Sequence, residues 1–195
     1  MTAKSKRPAL LPRQLRLTPQ QVEGPYFIAR SVLQSKLFPK GTSGSEVRIT
    51  GQVMAQDGSA INSAQVSVWV ADPSGRYDNQ KDDGSVKQIT AQQQLYRGRL
   101  LTSKDGKYGF NCLRPGNYFD TGYNLWRPAH IHVKVEAAGY ETLTTQLYFD
   151  DDAHNTLDIP GDDFFLPQLA LQLSPAVPQA GSVQNGIFNF VLAKA

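Results

Sequence analysis

Two histidines separated by one residue, His130 and His132, form the spacing in this sequence that most directly suggests chemistry. Successive side chains of a β-strand point to opposite faces, so these imidazoles would share one face and Ile131 would take the other. Two residues of strand rise by about 6.6 Å, which allows two imidazoles to converge on one ion. The pair indicates a metal site, although two polar residues on an exposed strand face would give the same pattern.

Oxygen donors must complete such a site, because Cys112 is the only cysteine. Carboxylates are abundant in the turns, and one of them would make the two-histidine, one-carboxylate site of Fe(II) oxygenases. Tyr77 and Tyr118 stand at the exits of two turns upstream of the histidines and offer phenol oxygens instead, unless they are only packed aromatic residues. The residues alone leave these alternatives open.

Short alternating segments surround these residues and are typical of half-buried strands. They lie at 47–53, 66–70, 108–112, 129–136 and 143–149, with a further strand expected at 186–191. Turns rich in Gly and Pro separate them, and the polar stretch 78–94 indicates a long loop. The pattern predicts an all-β fold, a β-sandwich of mainly antiparallel strands with long loops.

The N-terminal region differs from the rest in charge and pattern. Residues 1–50 contain nine Lys and Arg but only two Glu. Thr18, Pro19 and Gln21 match a helix-capping pattern that Gly24 soon ends, which predicts a short N-terminal helical turn. We therefore expect a basic arm and entry segment at 1–45 and a β-sandwich that carries the candidate site at 46–195, in a single domain overall.

Composition excludes several classes of function. The chain has 195 residues and a net charge of +3, which is too small to indicate nucleic-acid binding. Its first residues lack the apolar core of a secretory signal. The uncharged stretch 164–193 contains three prolines and four glutamines, so it is not predicted to span a membrane. We expect a cytoplasmic protein without a nucleic-acid or membrane partner.

Four motifs follow one another between Thr18 and Phe149. They are Glu23–Tyr26 (EGPY), Val68–Tyr77 (VWVADPSGRY), the segment Tyr96–Tyr118, which contains DGKYGF and RPGNY, and Trp126–His132 (WRPAHIH). In this order they resemble the motifs of the intradiol ring-cleavage dioxygenase family. Because few residues precede the first strand, the chain looks closer to the protocatechuate 3,4-dioxygenase branch than to the branch with an N-terminal helical dimerisation region.

The resemblance implies a non-haem Fe(III) ion held by Tyr77, Tyr118, His130 and His132. Two phenolates and a hydroxide would neutralise the charge of this hard cation. The implied reaction cleaves a catechol-type ring between its two hydroxylated carbons with O2 and yields a cis,cis-muconate-type dicarboxylate. Tyr118 matches the tyrosine that leaves the metal and helps to take up a substrate proton.

The resemblance also implies roles for residues around the metal. Arg127 would bind the substrate and stabilise negative charge on a ring carbon, although alone it could be a surface salt bridge. Gln146 would lie near the same carbon, and its strand parity fits that position. Pro25 and Tyr26 would border the substrate pocket. His154, in a polar loop, is expected to face solvent, and Trp69 and Cys112 to be buried.

The implied partners are a small catechol and O2. Protocatechuate would require a cation for its carboxylate, for which Arg30, Arg76 and Arg97 are candidates. Since one chain carries all the motifs, we expect a homo-oligomer, or else a partner subunit of the same family.

A metal-free binding module is the alternative. Residues 47–118 also resemble transthyretin-like and carboxypeptidase-regulatory-like β-sandwiches, which bind partners without a metal. Shared architecture does not decide function, and this reading does not account for the run Arg127–His132.

Overall fold

The computed structural model describes residues 14–120, 124–156, 165–175 and 182–195. Strands dominate these residues, which confirms the all-β prediction. In chain order they are β1 (Glu46–Ala55), β2 (Gln65–Val70), β3 (Arg97–Leu101), β4 (Lys107–Leu113), β5 (Tyr118–Asp120), β6 (Leu125–Arg127), β7 (His130–Glu136), β8 (Leu143–Phe149), β9 (Ala170–Leu171), β10 (Val183–Ile187) and β11 (Phe190–Leu192).

One sheet has the strand order β3-β2-β7-β8-β9, antiparallel except for the β8–β9 pair. One of its faces is apolar and enters the core, with Val68 opposite Val133 and Ile131 opposite Leu147. The other face carries the predicted chemistry, because strand parity places both histidines of β7 there. In the same face His132 lies between Trp69 of β2 and Gln146 of β8.

The second sheet is built around β1, which pairs with β4 antiparallel and with β10 and β11 parallel. Its apolar side chains complete the core of the sandwich, and Cys112 is fully buried there as predicted. The strand expected at 186–191 is two strands. The break occurs where the backbone crosses β1, because Phe188 N donates to Thr50 O at 2.9 Å and Phe188 O lies over Gly51, which has no Cβ to obstruct it.

The N-terminal helical turn predicted from Thr18 is wrong, since residues 14–24 contain no helix. Gln21 N donates to Thr144 O at 2.8 Å, and the side chain of Gln20 accepts from Thr144 N at 2.8 Å. At the other end, Thr18 exchanges two hydrogen bonds with Val191. A helix of one or two turns is marginal in water, so these tertiary hydrogen bonds override the local capping pattern. The part of the predicted basic arm at 1–13 lies outside the described residues.

Within the described ranges, none of the helical segments is long and apolar enough to cross a bilayer.

Candidate metal centre

The structure brings the four predicted metal ligands together. The Nε2 atoms of His130 and His132 are 3.2 Å apart, and Tyr77 Oη lies 3.4 Å from His130 Nε2. The ring of Tyr118 lies 5.7 Å from that of His130 and 6.2 Å from that of Tyr77, centroid to centroid. Two imidazoles and two phenol rings thus lie together, and their role as metal ligands stays a prediction.

Two tight turns deliver the tyrosines to this group. The turn before Tyr77 and the turn before Tyr118 pack on each other, with Gly116 N donating to Asp72 O at 3.0 Å. A Cβ on Gly75 would lie 2.5 Å from Asn117 O, and one on Gly116 would lie 2.5 Å from Pro73 O. Both positions therefore require glycine, and any larger residue would force the two tyrosine segments apart.

Both histidines are set up as neutral ligands. His130 Nδ1 donates to Pro128 O at 2.7 Å, so the lone pair of Nε2 faces His132 and Tyr77. Burial, and then the charge of Arg127, lowers the pKa of His130 to about 3. Burial, and then the neighbouring His130, lowers the pKa of His132 well below its usual value.

The phenols, by contrast, need a cation before they can ionise. Burial raises the pKa of Tyr77 well above its usual value and that of Tyr118 to about 12, although Arg127 opposes both shifts. A metal ion supplies the positive charge that makes such groups bind as anions near neutral pH. The donor set of two neutral nitrogens and two latent phenolates therefore fits a hard, highly charged ion such as Fe(III).

A carboxylate ligand does not join this group in the described part of the chain. No cluster of three or more His, Cys, Asp or Glu side chains that could hold a metal occurs there. The two-histidine, one-carboxylate alternative thus has no third ligand among these residues, and the tyrosines are the available oxygen donors.

Arg127 and Gln146 lie together beside the four ligands. Arg127 is only 4% exposed, so it is not a surface salt bridge. It stands opposite Tyr118 in the β5–β6 pair, and its Nη2 donates to Gln146 Oε1 at 3.0 Å. The amide of Gln146 is oriented further by Tyr148 Oη, which donates to Oε1 at 3.0 Å, and by Val22 O, which accepts from Nε2 at 2.9 Å.

The N-terminal segment forms one border of the centre. The ring of Tyr26 stacks on Tyr77 at 4.5 Å, and its hydroxyl donates to Gly84 O at 2.7 Å. Pro25 is exposed. Gly24 is closer to the ligands than the sequence reasoning recognised, since a Cβ there would lie 3.9 Å from His132 Nε2. Its place between Glu23 and Pro25 was the available signal, and it was interpreted as the end of a helix.

Arg97 is a further residue that sequence reasoning misjudged. It forms a buried ion pair with Asp78, donates to Tyr26 O at 2.8 Å and donates to Asn79 Oδ1 at 2.9 Å. It therefore joins the border segment to the loop that follows Tyr77 and does not offer its charge to a substrate carboxylate. Arg76, another candidate for that role, pairs with Asp82 at the surface. Trp69 is buried as predicted and stacks on His132 at 4.8 Å.

Comparisons of the sequence and of the structure with known proteins each match dioxygenases over most of this chain. A family model described as "Dioxygenase" matches residues 22–194. A chlorocatechol 1,2-dioxygenase of Cupriavidus pinatubonensis is 33% identical over 188 residues, which cover 83% of this chain and 71% of that protein. The solved structure of 3-chlorocatechol 1,2-dioxygenase from Rhodococcus opacus 1CP matches with a TM-score of 0.76 at 26% sequence identity. The match covers 91% of this chain and 73% of that protein's chain.

A second solved structure matches over its full length. The dioxygenase domain of a dioxygenase–carbohydrate-binding protein fusion from Streptomyces sp. SirexAA-E has a TM-score of 0.72 at 32% identity. The match covers 92% of this chain and 100% of that domain. The matched part of the chain includes the strands and turns that carry all four converging side chains.

Proposed function

The chain belongs to the intradiol ring-cleavage dioxygenase family, and on that premise we propose that it binds non-haem Fe(III) and cleaves a catechol-type ring between its two hydroxylated carbons with O2. The observation that carries this proposal is the convergence of His130 Nε2 with His132 Nε2 and Tyr77 Oη, at 3.2 and 3.4 Å. A buried cluster of this composition has no evident structural purpose, because apolar side chains would fill the same space without hydrogen-bonding requirements.

Tyr77, Tyr118, His130 and His132 are the proposed ligands. When bound, Fe(III) supplies a Lewis acid that holds both catechol oxygens and makes the electron-rich ring reactive toward O2. Both atoms of O2 enter the product, the bond between the two hydroxylated carbons breaks, and no external reductant is needed.

The protein residues then have separate tasks. Tyr118 is half-buried, and its phenolate oxygen is the proposed acceptor for a substrate hydroxyl proton. The guanidinium of Arg127 stabilises the negative charge that develops on a ring carbon, in a site from which water is largely excluded. Gln146 holds this guanidinium through the 3.0 Å hydrogen bond to Nη2. Tyr26 and Pro25 are proposed to border the ring of the substrate.

The substrate class is an ortho-dihydroxylated ring. The relatives are named as chlorocatechol, catechol and hydroxyquinol 1,2-dioxygenases, and each of these named substrates has two adjacent ring hydroxyl groups. Arg97 is buried against Asp78 and Arg76 pairs with Asp82 at the surface, so Arg30 is the candidate cation that these ion pairs leave for a substrate carboxylate. We propose a catechol without a carboxylate in preference to protocatechuate, because the substrates named for these relatives lack a carboxylate. A homo-oligomer remains the expected assembly, and light scattering would measure it.

The direct test is the visible absorption spectrum of the purified protein, recorded with the iron content of the same sample. A ferric phenolate centre is expected to give a red-brown charge-transfer band that shifts when catechol is added without oxygen. On admitting oxygen, the ultraviolet absorption of a muconate-type product should appear. A protein that stays colourless after loading with Fe(III) and leaves catechol unchanged would instead support the metal-free binding module.

A further inference from the structure

Asp152 lies just beyond the end of β8, and its side chain is only 5% exposed. Its carboxylate accepts from Asn117 Nδ2 at 2.8 and 3.0 Å, from Ala129 N at 3.0 Å and from His154 N at 2.9 Å. The imidazole of His154 also contacts it, with Nδ1 3.2 Å from Oδ1. The expectation that His154 faces only solvent was therefore wrong.

Two of these donors belong to segments that carry proposed metal ligands. Asn117 immediately precedes Tyr118, and Ala129 immediately precedes His130. A carboxylate that only capped the short 3-10 helix Ala153–Thr156 would need the amide of His154 alone. The bonds to Asn117 and Ala129 thus go beyond capping and connect two ligand-bearing segments through one side chain.

We infer that Asp152 is a positioning residue for the metal centre, in that its carboxylate joins the side chain of Asn117, the residue before Tyr118, to the backbone amide of Ala129, the residue before His130. This role rests on the proposed function insofar as Tyr118 and His130 are ligands. The hydrogen bonds of Asp152 do not require a bound metal, so they can be tested in the metal-free protein. Asp152 touches neither the metal ligands' side chains nor the reacting atoms, and it acts through Asn117 and Ala129.

A carboxylate suits this position because every described partner of its oxygens can donate. Asn117 Nδ2, Ala129 N and His154 N together occupy both oxygens. Asparagine has one acceptor oxygen. Placed where Oδ2 lies, that oxygen would still accept from both Asn117 Nδ2 and Ala129 N, so Asp152→Asn can keep the bridge. Asp152→Ala removes both acceptor oxygens and therefore breaks it.

The neighbouring Asp151 is a matched control. It is 64% exposed and pairs with Arg114 at 2.6 Å, away from the two ligand-bearing segments. Asp151→Ala makes the same truncation and removes the same charge one residue earlier, and it should leave the metal centre as it is. Asn117→Ala supplies the complementary change, because it removes the bond toward Tyr118 and retains the bond from Ala129.

The first measurement uses metal-free protein and hydrogen exchange resolved by peptide. Asp152→Ala should accelerate exchange of the Ala129 amide by about tenfold or more, as expected for a lost hydrogen bond of about 1.4 kcal/mol or more. Exchange around 117–118 should also rise, because the side chain of Asn117 loses its acceptor. Asp151→Ala should match the wild type in both segments. Equal exchange of the Ala129 amide in the Asp152→Ala variant and the wild type would overturn the inference, whatever the metal does.

The second measurement uses the iron-loaded variants. Removal of a residue that orients ligands typically reduces metal affinity or activity by about 10- to 100-fold. Asp152→Ala should show that loss in kcat, a shifted charge-transfer band and a KM close to that of the wild type. Asn117→Ala should shift the band in the same direction. If the wild type has its band and activity and Asp152→Ala equals it, the positioning role is refuted. A wild type without a band refutes the proposed function instead.

Discussion

The two tyrosine segments of this centre are held in different ways. Tyr77 is 4% exposed, and Tyr26 covers its ring. The loop after Tyr77 is tied down by the buried ion pair of Arg97 and Asp78. Tyr118 is half-buried on the three-residue strand β5, which pairs only with β6 among the described strands.

The side chains around Tyr118 also face outward. Phe119 and Trp126, which lie opposite each other in the β5–β6 pair, are 45% and 48% exposed. One tyrosine therefore sits in an enclosed frame, and the other sits on a small hairpin whose buried contacts include Arg127 with Gln146 and Asn117 with Asp152. Such a difference is what a centre needs if one oxygen donor stays in place while the other moves to take up a proton.

The largest expected effect separates the two tyrosines directly. Tyr77→Phe should reduce iron affinity by more than about 100-fold and abolish ring cleavage, because it removes a fixed ligand. Tyr118→Phe should keep part of its iron, change colour and lower kcat by about 100-fold or more, because it removes a proton acceptor. Iron titration, absorption spectra and steady-state kinetics on both variants would measure this. Identical behaviour of the two variants would contradict the comparison.

The next effect concerns the stability of the frame around Tyr77. Arg97→Met leaves Asp78 buried without its partner, and breaking a buried pair from one side costs about 3–5 kcal/mol. Denaturant unfolding of the metal-free protein would measure the loss. The double variant Arg97→Met/Asp78→Asn should recover part of it, and Arg76→Met, at the exposed pair with Asp82, should lose less than about 1 kcal/mol. Equal losses at the two arginines would show that the buried pair has no special role.

A smaller effect tests the border beside His132. Gly24 has a φ of +69°, and Gly139 has a φ of +81° with open space where a Cβ would lie. Substitution of either by Ala should destabilise the protein by about 1 kcal/mol through backbone strain. Only Gly24→Ala places a methyl group beside the imidazole, so only this variant should raise KM for catechol. A KM increase of the same size in Gly139→Ala would assign the effect to strain alone.

The smallest expected effect is a pH dependence of the stability that Asp152 contributes beside Tyr118. Burial acts to raise the pKa of Asp152, but hydrogen bonds from His154, Asn117 and Ala129 outweigh burial and hold the pKa below its ordinary value. The carboxylate therefore stabilises the fold fully above its unfolded pKa of about 3.9, and this contribution is lost as pH falls through the lower folded pKa. Unfolding of metal-free protein between pH 6 and 2.5 should show a steeper acid loss in the wild type than in Asp152→Asn. Parallel curves would mean that Asp152 does not anchor the hairpin.

Much of the site could be predicted from local sequence. Strand parity places His130 and His132 on one face, and parity on β8 is compatible with Gln146 facing the same site. The register that puts Gln146 opposite His132 comes from the pairing of β7 with β8. The turns 72–75 and 114–117 end at Tyr77 and Tyr118 because Gly and Pro restrict the backbone there. These features depend on neighbours within a few residues, which a sequence displays directly.

Other features were hidden because they depend on contacts between distant segments. The capping pattern at Thr18 predicted a helix, but the segment is not helical and bonds instead to Thr144 and Val191. Arg97 was offered as a cation for a substrate, whereas Asp78 and the backbone of Tyr26 use its donors.

The sequence by itself determined most of the longer strands, their apolar faces and the types of the four candidate metal-ligating side chains, because alternation and turn chemistry act locally. The tertiary structure decided which polar groups serve one another. Arg127 meets Gln146, Arg97 meets Asp78, and Asp152 meets Asn117 and Ala129. The physical reason is that a buried charge or amide must find its partner within hydrogen-bond distance, and distance in space is set by packing of the sheets rather than by separation along the chain.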